Sequence, residues 1–280
     1  MKISSTRIED EVIALIQKRS MTAMEILQGV RVARPKTTKQ AVYLAIRNLK
    51  HREIVTIHAK LVSLSRIWID QMADFYIFAR KQYAESSVAD SGYLNLEEKD
   101  RITYSFKNPI TTDVFWAHTL SVLTEITPQS EPVYIWNQHE WFFLAHRESE
   151  RALFRNMREK RKRTYVLSAH KNHIDMHVAK EFDGDWAQYY ALGEQLFAKP
   201  NYYTNVVGDY ILEVWLDEKI QSSIDSFYEN YTLPTEEAIH EIQRITRETG
   251  RTKLRISKNK KRAKEIKKIF SKYFLIKNDK

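Results

Sequence analysis

The sequence predicts an α+β chain in two parts: a small helical unit ending in a hairpin, then a larger mixed α/β domain. Three observations predict it. Three helix-start signals fall within the first fifty residues, and two short strand patterns follow them directly. Beyond residue 93 strand-like and helical patterns alternate, as expected of a layered α/β domain. The 280 residues are 43% hydrophobic and 29% charged, enough for a sizeable core and for two domains of roughly 150 residues each.

The first unit is expected over residues 1–69. Thr6-Arg7-Ile8-Glu9, Thr22-Ala23-Met24-Glu25 and Thr37-Thr38-Lys39-Gln40 each fit the capping box. In that box the threonine oxygen accepts a backbone N–H, and the side chain three residues on reaches back to the cap. Apolar residues then recur at helical spacing: Ile8, Val12, Leu15 and Ile16 in the first helix, Ile26 and Leu27 in the second, Val42, Ala45, Ile46 and Leu49 in the third. One three-helix core accounts for them all. Ile54 to Ile57 and Leu61 to Ile67 read as strands joined across His58-Ala59-Lys60, a tight connection without glycine.

The third helix carries a second stripe. Lys39, Tyr43, Arg47 and Lys50 lie at offsets of four, four and three, opposite the apolar side. Thr37, Thr38 and Gln40 crowd its start, where free backbone N–H groups and the positive dipole end favour a phosphate. His58 and Lys60, at the hairpin tip, are placed to touch phosphate or minor groove, or to stay hydrated. A solvated basic face with Tyr43 covering the core would give the same pattern, but helix order, hairpin and charge together favour DNA contact.

Helix, helix, helix, hairpin over Thr6 to Ile69 resembles the winged helix-turn-helix of transcriptional regulators, including the apolar strand LVSLSRIWI that ends the wing. The resemblance implies that the third helix enters the major groove of double-stranded DNA and the hairpin lies along the backbone. Arg47 or Lys39 would then suit guanine and Gln40 adenine. A winged helix followed by an α/β effector domain is similar to the TrmB-type regulators, whose second domain has a phospholipase-D-like fold without the catalytic residues. The second domain here holds no His-x-Lys pair, the hallmark of active phospholipase-D enzymes, which argues against that catalysis.

A connecting helix and linker are expected over 70–92. Met72, Phe75, Tyr76, Ala79 and Tyr83 form a helical stripe that either pairs with a twofold mate or packs on the second domain. A homodimer is the expected state, since two modules on one site raise affinity and specificity together. Ser86 to Gly92, small and polar, reads as the linker.

The second domain is expected over 93–232. Arg101 to Phe106, Val133 to Trp136, Trp141 to Leu144 and Thr164 to Ser168 read as strands; Asp113 to Thr124 and Glu148 to Lys160 read as helices. Val178 to Phe182 closes a short helix. Tyr202 to Val207 and Tyr210 to Leu216 flank the turn Gly208-Asp209, and Glu218 to Tyr228 is helical. No glycine-rich nucleotide motif or nucleophile elbow is present, so no cofactor is expected.

Three constellations here could carry chemistry. His170, His173, Asp175 and His177 sit in HKNHIDMH, with His173 and His177 at a metal-like spacing, but the glutamate of HExxH is missing and a polar surface loop is the plainer reading. Asp209, Asp217 and Lys219 imitate a nuclease's carboxylate-lysine set. Turn chemistry and helix capping explain the two aspartates equally well. On the first view the chain would be a metal-dependent nucleic-acid-processing enzyme; on the second it is no enzyme. Tyr134, Trp136, Trp141, Phe142, Phe143, Tyr165, Trp186, Tyr189 and Tyr190 could line a small-molecule effector pocket, but core packing predicts the same residues and is favoured.

A helical, basic C-terminal extension is expected over 233–280. Thr235 caps a helix to Thr249, and the following RTKLRISKNKKRAKEIKKIFSKYFLIK joins a dense positive field to an apolar stripe of Ile266, Ile269, Phe270 and Phe274, suited to the DNA backbone. The formal charge of +9 and pI near 9.4 also favour an acidic partner. With no cysteine, no secretory leader and no apolar run of membrane length, the cytoplasm is the expected setting.

Overall fold

The computed structural model describes residues 7–90 and 92–274, with only the helical backbone described over 80–90. The chain is mixed α and β and divides into two compact units at Tyr83/Ala84. Among the described residues no helix is long and apolar enough to cross a membrane.

The first unit runs α1 (Ile8–Ile16), β1 (Met21–Thr22), α2 (Ala23–Ala33), α3 (Lys39–His51), β2 (Val55–His58), β3 (Leu61–Leu64), then α4 (Arg66–Asp90). The capping-box expectation meets three different outcomes. At α2 it is complete: Glu25 N–H donates to Thr22 Oγ1 (3.3 Å) and Thr22 N–H to Glu25 Oε2 (2.7 Å). At α3 the cap is Thr38, accepting from Ala41 N–H at 3.2 Å, one residue later than expected. Thr37 is buried instead, its carbonyl accepting from Arg31 Nε at 3.0 Å. Thr6 lies outside the described residues, and α1 starts after Arg7 with no side-chain cap.

Val12, Ile16, Ile26, Leu27, Val30, Val42, Ala45, Ile46 and Leu49 form one core with Ile54, Val55 and Val62 of the hairpin. Gly29 of α2 permits the close crossing with α1, since a Cβ there would stand 2.7 Å from Leu15 Cδ1. β3 stops at Leu64, because Ser65 turns the chain into α4 and its hydroxyl accepts from Trp68 N–H. The apolar LVSLSRIWI is therefore half strand and half helix. β1, too short to read from the sequence, pairs with β3 and completes a sheet of order β1-β3-β2. In place of the expected linker at Ser86 to Gly92, α4 continues to Asp90.

The second unit adds β4 (Arg101–Phe106), α5 (Pro109–Ile126), β5 (Val133–Asn137), α6 (Trp141–Ala145), α7 (Arg147–Glu159), β6 (Thr164–Ser168), α8 (His173–Phe182) and β7 (Ala187–Ala191). It continues with β8 (Tyr202–Val207), β9 (Tyr210–Trp215), α9 (Glu218–Asn230), α10 (Glu236–Ile245), β10 (Thr252–Lys258) and α11 (Lys260–Phe270). Seven strands form one sheet, ordered β4-β10-β9-β8-β5-β6-β7. β5, β6 and β7 are parallel, and the remaining pairs antiparallel. Strands covered on both faces read as unbroken apolar runs rather than alternations. β5, β6 and β8 are buried at every position. Gly208, at φ +58°, makes the β8–β9 turn.

Two expectations fail here for identifiable reasons. Trp141 to Leu144 is helix α6 rather than a strand: five consecutive buried residues satisfy either geometry, and the short apolar run cannot tell them apart. The region 233–280 is no appendage, because β10 pairs with both β4 and β9 inside the sheet. α11 packs Ala263, Ile266 and Phe270 against Tyr134, Trp136 and Tyr165.

Candidate nucleic-acid interface

On α3 the four-residue repeat of buried Val42, Ala45, Ile46 and Leu49 fixes the helix orientation, so the opposite residues must face water. Thr38, Lys39, Gln40, Tyr43, Arg47 and Lys50 are all exposed, as are His58 and Lys60 at the hairpin tip. Of the nine candidate residues only Thr37 turns inward. Tyr43 does not cover the core; its ring is 44% exposed and Lys39 Nζ sits 5.7 Å from its centroid. The hairpin connection is a two-residue turn with Ala59 at φ +47° and Lys60 at φ +66°, which projects Lys60 from the tip.

The cations of this unit divide into two sets. Arg34 pairs with Glu11 at 2.6 Å and Arg52 with Glu9 at 3.3 Å, so both are turned back onto α1. Among the described residues no carboxylate pairs with Lys39, Arg47, Lys50 or Lys60. Exposed partnered charges largely cancel one another's field, whereas this group leaves a net positive face.

The second unit holds a polar cluster at the carboxyl ends of the parallel strands β5 and β6, the end of an α/β sheet where ligand sites commonly lie. His139 is 3% exposed. Its Nδ1 lies 2.8 Å from Asp175 Oδ2 and its Nε2 3.3 Å from Asp225 Oδ1. The ring is sandwiched between His170 (centroids 4.2 Å apart) and Tyr228 (4.0 Å). Burial opposes its charge, but the hydrogen bonds and charges of the two aspartates prevail and lift it to about 9. Next to it Glu140 is fully buried; Asn137 Nδ2 donates to its carboxyl group, and its own N–H donates to Asp175 Oδ1. Burial, then the charge of Asp175, pushes Glu140 up to about 8.

This closed cluster gives the HKNHIDMH segment its actual roles. Asn172 caps α8, Asp175 turns inward to His139, and His170 stacks on that ring. His173 and His177 share the outer side of α8, separated from the buried Asp175. Among the described residues no group of three or more His, Asp or Glu side chains is arranged so that it could hold a metal ion. Asp217 caps α9 by accepting from Lys219 N–H at 3.0 Å and also accepts from Arg251 N–H at 3.3 Å; Asp209 sits in the β8–β9 turn. Tyr134, Trp136, Trp141, Phe142, Phe143 and Tyr165 are core residues; Trp186 and Tyr189 are half-buried and Tyr190 exposed.

His139, Glu140 and Asp225 escaped the sequence reading. The one signal that could have found them is Asn137-Gln138-His139-Glu140, four polar residues directly after an apolar strand. Such a run at a strand end reads as a loop until the fold buries it.

No family model matches the chain, and no curated protein matches it. Among solved structures it is similar to the archaeal chromatin protein TrmBL2, whose structure shows a novel mode of DNA binding: 11% identity, 97% of this chain and 93% of that one, TM-score 0.33. It is also similar to NucT from Helicobacter pylori, at 10% identity over 62% of this chain and 95% of that one, TM-score 0.35.

Proposed function

We propose that the first unit is a winged helix-turn-helix and that the chain is a sequence-specific DNA-binding transcriptional regulator of the cytoplasm. The observation that carries the reading is the stripe on α3. Lys39, Gln40, Tyr43, Arg47 and Lys50 are exposed along one side of a helix whose other side is locked into the core, while neighbouring arginines are neutralised by α1. In the major groove Arg47 or Lys39 would read guanine and Gln40 adenine, with Thr38 at the helix start and Lys60 and His58 at the hairpin tip on phosphate.

The active species in this reading is a homodimer built on α4. Met72, Phe75 and Tyr76 are 43%, 67% and 61% exposed, an apolar stripe that a second copy of the same helix would cover. To the second unit we assign assembly or effector sensing rather than catalysis. Both ring nitrogens of His139 are occupied by aspartates, so it has none free to attack or deprotonate a substrate. A groove of about 510 Å³ lined in part by Phe154, Arg155, Arg158 and Trp186 is the place we assign to an effector.

The test is fluorescence anisotropy of the full chain against genomic and random duplex fragments at several salt concentrations, with Lys39→Ala/Arg47→Ala beside it. A fragment bound at physiological salt and released in the variant supports a sequence-specific reader. Weak binding that vanishes steeply with salt, unchanged in the variant, overturns it.

A further inference from the structure

Pairing of β10 with β4 and β9 creates a surface that no single segment carries. Residues directly opposite one another in antiparallel strands share a face. Arg255 stands opposite both Thr103 and Glu213, Lys253 opposite both Ser105 and Trp215, and Ser257 opposite Arg101. The alternate residues Ile102, Tyr104, Phe106, Leu254 and Ile256 point to the core. Arg101, Thr103, Ser105 and Lys253 are exposed, and Arg255 and Ser257 partly so. The buried partners of α11 lie on β5, β6, β8 and β9, none of them on β4 or β10.

Charge on this open face is one-sided. Arg101 and Lys253 pair with no carboxylate among the described residues. Its own acid, Glu213, accepts from the Tyr202 hydroxyl at 2.9 Å and lies 3.8 Å from Arg255. At one end the face opens into a groove of about 590 Å³ where Lys199 and Arg251 join Lys253 and Arg255 around Trp215. Asp217 on that rim is engaged by backbone N–H groups, leaving Glu218 as the acid facing the groove with its charge free. The Arg255 guanidinium covers the Trp215 ring at 4.8 Å, so the face offers cations and hydroxyls but no apolar side chain to insert into a bilayer.

We propose that the open face of β4, β10 and β9 is a second nucleic-acid surface, holding the phosphodiester backbone without reading sequence. It stands on the second unit alone and does not rest on the reading of α3. A flat cationic sheet with hydroxyls between its charges makes phosphate contacts, which give affinity and salt dependence but no base discrimination.

The test measures full-chain affinity for a random 30-base-pair duplex and for a random 30-nucleotide single strand from 50 to 300 mM salt. Arg101→Gln/Arg251→Gln/Lys253→Gln is compared in the wild-type and the Lys39→Ala/Arg47→Ala backgrounds. The expected result is a sequence-independent loss of tenfold or more at low salt. For duplex the slope of log K against log salt should flatten by up to about 3, at roughly 0.9 per phosphate contact removed. A larger loss on single strand assigns the face to unpaired strands, and a larger loss on duplex assigns it to B-form backbone. Unchanged affinity and slope on both probes in both backgrounds, with unchanged circular dichroism, overturns the proposal. Failure of the α3 reading would appear separately, as indifference to Lys39→Ala/Arg47→Ala alone.

Discussion

Glu140 makes the stability of the second unit depend on pH in a direction opposite to that of ordinary carboxylates. The side chain is fully buried and its acid lies near 8, against an ordinary 4.5, because of burial and the neighbouring charge of Asp175. Between these two values the folded state keeps a proton that the unfolded chain has released. Stability from this group is therefore complete below about pH 4.5 and declines by about 1.4 kcal/mol per pH unit until pH 8. His139, raised from 6.5 to about 9, adds a decline of the same sign from pH 6.5 upward. Glu140→Gln removes the first contribution and keeps a carbonyl oxygen for Asn137. Urea unfolding followed by the fluorescence of Trp116, Trp136 and Trp141 should show the variant gaining on the wild type by roughly 3 kcal/mol between pH 5 and 7. The difference between the two proteins is the quantity to read, since Asp113 is also raised by burial and shifts both curves alike. A difference that stays constant across that range would refute the reasoning.

Four other outcomes follow from the geometry. Thr38→Ala should cost the first unit about 1 kcal/mol in thermal or urea unfolding, and Thr37→Ala should cost less through capping, because Thr38 holds the N-cap bond. Ala59→Asn/Lys60→Gly should raise the stability of that unit by about 1 kcal/mol, since both residues occupy the left-handed region that Asn and Gly tolerate. Phe270→Ala should destabilise the second unit by about 3–5 kcal/mol, because the ring is 0% exposed between Tyr134 and Phe274; an unchanged midpoint would mean that α11 is a detachable arm. Phe75→Glu should shift the mass seen by sedimentation equilibrium from dimer to monomer at fixed concentration, and a monomeric wild type would remove the α4 pairing.

The first unit was legible because its signals are local. Thr22 and Glu25 satisfy each other across three residues, and the spacing of Val42, Ala45, Ile46 and Leu49 states both the helix and its buried side. The one-residue shift of the α3 cap was not legible, since Thr37 and Thr38 offer the same hydroxyl and only packing decides which of them turns inward. The second unit was legible in its central strands and opaque at its closure. β10 reads as part of a basic helical extension because its charges alternate with Leu254 and Ile256 over just seven residues, and its place depends on β4, some 150 residues earlier. His139 was hidden for a related reason: Asp175 and Asp225, which give it meaning, come from other elements and approach only when the sheet assembles.

The net charge of +9 is a sum, yet what a polyanion meets is the part left unpartnered. Arg244 is held by Glu241 and Glu248, Arg147 and Arg151 by Glu181, and Arg34 and Arg52 by the acids of α1. Each exposed pair contributes at most about 1 kcal/mol to folding, but each also removes a positive centre from the outer field. On two faces the cations escape this cancellation, for unrelated structural reasons. On α3 the buried stripe leaves Lys39, Arg47 and Lys50 no acid to reach. On β4 and β10 the strand register gathers Arg101, Lys253 and Arg255 around a single committed glutamate. With a Debye length of about 8 Å at physiological salt, a phosphate responds to such local groups and hardly to the overall +9. Removing paired arginines should therefore leave nucleic-acid affinity nearly intact, while the same number of neutralisations on either unpaired face should not.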